Sequence, residues 1–152
     1  RLLPNRSLPS YKYKPGLGPH PMRSVDGHMY GQAEPKADSV HLLWSIDLFN
    51  EGFYWETHEA FELLWKDLDN ENPYKWLLQS IILSAAATLK TEMGLEAPAG
   101  RLHKKAVEKI TAVINSDVEI ASIIDVSKTA ANIIRAAETR ETPYVVVDAV
   151  RS

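Results

Sequence analysis

The stretch PYKWLLQSIILSAAATLKTEMG, residues 73 to 94, restricts the fold more than any other part of the chain. Asn72 can cap it, Pro73 suits a first helical position, and Gly94 suits a stop. Between these ends it is apolar on nearly every side and rich in alanine, which is the pattern of a helix surrounded by others. Its most apolar part, WLLQSIILSAAATL, is interrupted by Gln79, Ser80 and Ser84. That run is also shorter than the roughly 20 residues needed to cross a bilayer, so it reads as the centre of a folded core and not as a membrane span. Ser80, Ser84, Thr88 and Thr91 form a small-residue stripe that lets a neighbouring helix approach closely or lines a pocket.

The segments around it supply the partners. SVHLLWSIDLFN follows Asp38 or Ser39 as N-cap and stops at NEG, residues 50 to 52. A second helix is predicted from about Phe53 to Leu68, and a fourth from about Pro98 to Ile114. In that fourth helix Leu102, Ala106, Val107, Ile110, Val113 and Ile114 are expected to turn inward, and Asn115 and Ser116 to close it. Beyond it the pattern predicts a short helix at 117–124, another at 127–139, and an extended tail from 143 to 152 whose YVVV has β character but no evident sheet to join. Short connections favour antiparallel neighbours. The fold class is therefore all-α: a compact antiparallel helical bundle of about five helices over residues 38–142.

Residues 1–37 have a different texture, with six of the nine prolines and four of the seven glycines. Proline fixes its own φ and restricts the residue before it, so this segment is an extended, Pro/Gly-rich N-terminal arm without long helices. Tyr11, Tyr13, Met22, Val25, Met29 and Tyr30 give it enough apolar surface to pack on the body.

Composition removes several classes of function. The chain has no cysteine, which excludes disulfides, thiolate zinc sites and cysteine nucleophiles and fits a cytoplasmic location, with a plastid location left open. A net charge of −3 gives no general attraction to nucleic acid or anionic membrane. The first 25 residues do carry Arg1, Arg6, Lys12, Lys14 and Arg23 beside Tyr11 and Tyr13, but five charges are a small footprint for nucleic acid. No apolar signal-peptide core or amphipathic transit helix is visible from Arg1 onward, and there is no Ser-His-Asp order, phosphate-binding glycine loop or dinucleotide fingerprint.

Chemistry concentrates in WETHEAFELLW, residues 55 to 65. At about 100° per residue, Trp55, His58, Glu59, Glu62 and Trp65 share an arc of roughly 120°, next to the centre of the apolar stripe of Tyr54, Phe61, Leu64, Trp65 and Leu68. That phase predicts acids and an imidazole at the edge of the core or inside it, where a carboxylate must be paired, hydrogen-bonded, protonated or cation-bound. One reading is structural: the group pairs within the bundle and fixes helix register. The other is a site for a small-molecule ligand or for a divalent metal such as iron, manganese or zinc, which His and Glu ligands suit. The zinc-protease helix motif is not met, because Glu62 stands where the second histidine belongs. The ferritin-like Glu-x-x-His is not met either, because Trp55 precedes His58 by three. Further metal ligands would have to come from elsewhere, and His20, between Pro19 and Pro21, and His28, after Gly27, are the candidates in the arm. His41 and His103, on ordinary amphipathic segments, read as surface or boundary residues.

Read as one unit, LFNEGFYWETHEAFELLW resembles the domain of unknown function 309 family, whose signature is a Phe-Asn-x-Gly turn followed by Trp-Glu-x-His-Glu-x-x-Glu-x-x-Trp. Here those positions are Phe49, Asn50, Gly52, Trp55, Glu56, His58, Glu59, Glu62 and Trp65, and the likeness extends over roughly residues 39 to 115. PHPMRSVDGHMYG also looks like an extension found in some members. The resemblance implies a compact helical bundle of unknown activity in which the His/Glu face matters. Two hypotheses follow. In the first, His58, Glu59 and Glu62 hold a metal or small molecule, with Asn50, Trp55 and Trp65 at the binding site and His20 or His28 closing it. If that site is catalytic, Glu59 or Glu62 is the base and His58 the ligand or proton carrier. In the second, the same residues belong to a non-catalytic interaction module, such as a homodimer.

Overall fold

The computed structural model describes residues 1–148; the end of the predicted tail, 149–152, lies outside the described residues. Five helices follow in order: α1 Ser39–Asn50, α2 Tyr54–Trp65, α3 Pro73–Glu92, α4 Glu96–Asn115 and α5 Val126–Thr139. Among the described residues there is no strand, and no helix is long and apolar enough to cross a membrane.

Local signals set most of the ends. Asp38 Oδ1 accepts from the His41 backbone N–H, Asn72 Oδ1 from that of Tyr74, and Asp125 Oδ1 from that of Lys128, so three helices begin with side-chain caps. Gly52, at φ +85°, makes the sharp turn between α1 and α2 that a residue with a Cβ would strain. α4 starts at Glu96, two residues before the predicted Pro98.

α3 occupies the centre, with Leu77, Leu78, Ile81 and Ala85 fully buried. Its heaviest packing is against α4, and its small-residue stripe explains how: Ser80, Ser84 and Thr88 are buried, while Ala99, Ala106 and Ile110 of α4 are fully buried. Three of the stripe hydroxyls satisfy themselves on α3's own backbone, Ser80 Oγ on Leu77 O (2.6 Å), Thr88 Oγ1 on Ser84 O (2.8 Å) and Thr91 Oγ1 on Ala87 O (3.2 Å). α2 and α5 also pack on α3, and α1 packs on α2.

The expected short helix at 117–124 does not form. Asp117 takes φ +57°, which ends the α4 geometry, and the segment is drawn out to meet the tail. Asp125 N–H donates to Val146 O (2.7 Å), Asp148 N–H donates to Ile123 O (2.6 Å), and Ile124 and Val147 form an isolated antiparallel bridge. The tail's β character thus has a partner after all: the β-branched run before α5 gives it a single rung. Asn50 fixes the other edge of the tail, donating through Nδ2 to Val145 O (3.0 Å) and accepting through Oδ1 from Val145 N–H (2.8 Å).

The arm lies along α1 and α2, held by backbone groups meeting buried acids. Asp47, 2% exposed, accepts from the N–H groups of Leu2 (2.7 Å) and Leu3 (2.8 Å). Glu56 accepts from Tyr13 N–H (3.1 Å). Tyr13 itself is buried, and its ring meets Trp55 edge-on at 5.1 Å.

Candidate functional site

α2 buries Tyr54, Glu56, Thr57, Ala60 and Phe61. Its outermost polar group is the one singled out by spacing. His58 Nδ1 lies 3.4 Å from Glu59 Oε1, with the two side chains 48% and 29% exposed, and Glu62 is half-buried. Of the two expected positions, at the edge of the core or inside it, the group takes the outer one and is only partly buried. The physical reason is the arm, which covers α2 on the Glu56 and Ala60 side and leaves the adjoining arc open. The three side chains nevertheless come together, each offering a ligand atom within 4.8 Å of the others. Hydrogen bonding to Glu59 raises the His58 imidazole above its ordinary pKa, against an opposing effect of burial, and the charges of Glu59 and Glu62 act in the same upward direction. Oxygen-rich and carrying one imidazole, this group could hold a divalent cation.

The arm histidines do not join it. His20 Nδ1 accepts from the N–H groups of Met22 and Arg23, both at 3.2 Å, and its ring packs edge-on against Trp55 at 5.4 Å. His28 meets a different acid: its Nε2 is 2.7 Å from Glu56 Oε2, with the two side chains only 4% and 2% exposed. That oxygen also accepts from Tyr13 N–H, so it is an acceptor, and His28 Nε2 carries the hydrogen. The far atoms of both side chains, His28 Nδ1 and Glu56 Oε1, are buried with no partner in the protein. A buried acceptor left unmatched is costly, and here two fall on side chains that contact one another.

His41 is likewise buried and not at the surface, because α1 presses it against α2. Its Nε2 donates to Ala60 O at 2.7 Å, and its Nδ1 has no partner. His103 is buried too, with neither ring nitrogen partnered, and burial lowers its pKa, with Arg140 nearby adding to the effect and Glu96 opposing it.

His28, His41 and Glu56 all line one cleft of about 900 Å³ between the arm and the α1–α2 pair. Glu59 and Glu62 line it as well, while Leu8, Leu48 and Leu63 contribute apolar wall. Of the other binding candidates, Asn50 is committed to Val145, Trp55 packs on His20 and Tyr13, and Trp65 lies at a separate shallow groove of about 540 Å³ under α4. Glu56 was legible only as part of the WETHE motif. The usable signal was its first-turn position, where the helix dipole favours an acid, together with a glycine-preceded histidine in an arm that had to pack somewhere.

Fold and cleft together define a small all-α protein with an ordered arm closing a polar, partly apolar cavity. Residues 43–102 match the family model described as Domain of unknown function (DUF309), and the chain carries a DUF309 domain there. The match contains Glu56, His58, Glu59 and Glu62, whereas His28 and His41 precede it. Comparison with curated proteins and with solved structures finds no match in either.

Proposed function

We propose that this protein binds a small molecule in the cleft between the arm and the α1–α2 pair, with Glu56 and His28 as its polar anchor. The observation that carries this reading is the pair of unpartnered atoms, Glu56 Oε1 and His28 Nδ1, on two side chains that are nearly fully buried and line the cleft. Ligand sites commonly combine an apolar wall with a few convergent polar groups, and volumes of roughly 300–1,000 Å³ are usual for them. The test is a diverse fragment set titrated against the full chain and followed by amide NMR. Hits are expected to shift resonances of residues 28–35 and 59–66, and to be lost on Ala33→Trp, which fills the cleft from an exposed arm position. A folded protein for which no fragment perturbs that region overturns the reading and favours a non-catalytic interaction module.

A second reading has its own support. The ligand atoms of His58, Glu59 and Glu62 cluster within 4.8 Å, and two of the three residues also line the cleft, so a divalent cation would sit at its margin. In that arrangement Glu59 or Glu62 is the candidate general base and His58 the ligand or proton carrier.

A further inference from the structure

We infer that the ligand of this cleft is an organic cation bearing N–H donors, a primary ammonium or a guanidinium on an apolar body. The inference rests on the small-molecule reading above and adds the charge and hydrogen-bonding class.

The first argument is the polarity of the unmatched groups. His41 Nε2 faces a carbonyl oxygen and His28 Nε2 faces a carboxylate oxygen, so each of these nitrogens is the donor. In a neutral imidazole the opposite nitrogen is then a lone-pair acceptor. His28 Nδ1, His41 Nδ1 and Glu56 Oε1 are therefore three buried acceptors without partners, on three residues that line one cavity. Only a donor-rich ligand complements such a set. They do not form a compact metal-binding group, since the cluster that meets that criterion among the described residues is His58, Glu59 and Glu62.

The second argument is charge. Six charged side chains line the cleft, and four are acids: Glu34, Glu56, Glu59 and Glu62. Of the two bases, Lys66 is engaged with Glu34 at 3.3 Å, and Arg6 lies over the Trp44 ring, its guanidinium carbon 3.9 Å from the ring centroid. Both residues of this last contact line the cleft, so its wall already accommodates one guanidinium by cation–π contact. The balance left for a ligand is acidic. An anion would meet Glu56 inside a site with no free basic partner, whereas a cation would satisfy it.

The experiment is calorimetric and NMR titration of the full chain with three probes of matched size: 2-phenylethylamine, 2-phenylethanol and 3-phenylpropanoate. Saturable binding of the amine, at least tenfold tighter than the alcohol or the acid, with shifts in residues 28–35 and 59–66, is the expected result. Glu56→Gln keeps an oxygen for Tyr13 N–H while removing the charge, and should weaken the amine at least tenfold. Ala33→Trp should abolish its binding. Amine binding that neither substitution changes is surface binding and overturns the inference. Equal or tighter binding of the alcohol or the acid in the cleft overturns the cationic class and leaves the small-molecule reading standing. If no fragment of any class reaches the cleft, both fall.

Discussion

His28 of the arm and Glu56 of α2, 28 residues apart in the chain, meet at 2.7 Å where almost no water reaches either side chain. Each half depends on the other. Removing the imidazole would leave a buried carboxylate with one backbone donor, and an unsatisfied buried acceptor costs about 1–3 kcal/mol, more when it is charged. His28→Ala is therefore expected to lower the urea midpoint clearly and to release the arm. Limited trypsin digestion reads the second effect directly, because Lys12 and Arg23 lie in the arm and neither is followed by proline. Faster cleavage at those sites is expected; an arm as resistant as in the parent protein would show that other contacts hold it.

Gly27 makes that meeting possible through space alone. A Cβ at this position would lie 2.3 Å from both His20 O and Pro21 O, backbone atoms that cannot swing aside. The tight loop is closed around it by Gly27 N–H to Ser24 O (2.9 Å) and Met29 N–H to Pro21 O (2.9 Å). Gly27→Ala should open the loop and move His28 off Glu56, giving the proteolytic phenotype of His28→Ala with the imidazole still present. An alanine variant with unchanged digestion and unchanged His28 ring resonances would contradict this account.

The difference between these two sites and the rest of the molecule explains what the sequence could reveal. α3 was readable because its pattern is local: a cap, a proline, an all-round apolar face and a glycine within one segment. The His58, Glu59, Glu62 group was readable for the same reason, since helical spacing alone brings Glu62 beside both His58 and Glu59, four and three residues before it. Whether that side is covered was not, because the cover is an irregular arm whose path no periodicity specifies. For the same reason Glu56 passed as a motif residue and His41 as a boundary residue, although the arm and α1 bury them. The segment 117–124 was misread because its apolar residues pair with a tail that lies beyond a whole intervening helix.

The group at the edge of α2 gives a prediction independent of the cleft's anchor. Three ligand atoms within 4.8 Å could hold Mn²⁺ or Zn²⁺ with water in the remaining positions, and binding is the expected outcome. Added Mn²⁺ should broaden the NMR signals of residues 58, 59 and 62 first. His58→Ala or Glu62→Gln should each weaken binding by about tenfold or more, given that even outer-shell substitutions cost about 10–100-fold. Since His58 is exposed and Glu62 only partly buried, neither change should disturb folding. Uniform weak broadening of scattered surface carboxylates, unaffected by the substitutions, would remove the metal reading.

His103 on α4 makes stability depend on pH in a definite direction. In the unfolded chain its imidazole takes up a proton near the ordinary value of 6.5; in the fold, burial holds that uptake to lower pH, Arg140 adding to the effect and Glu96 opposing it. Between the two values the unfolded chain binds more protons than the folded one, so stability falls as pH falls through 6.5 and levels off below the folded value. Neither ring nitrogen has a partner in the protein, so an apolar side chain of similar size gives up no hydrogen bond there. His103→Leu should therefore match the parent protein closely at pH 8 and exceed it at pH 5, as measured by urea midpoints in the two buffers. Every other titrating group is common to both proteins, which makes the difference between the two pH profiles specific to this residue. Parallel profiles would mean that the buried imidazole takes up its proton in the fold as readily as in the unfolded chain, and the neutral, unpartnered state inferred for it would be wrong.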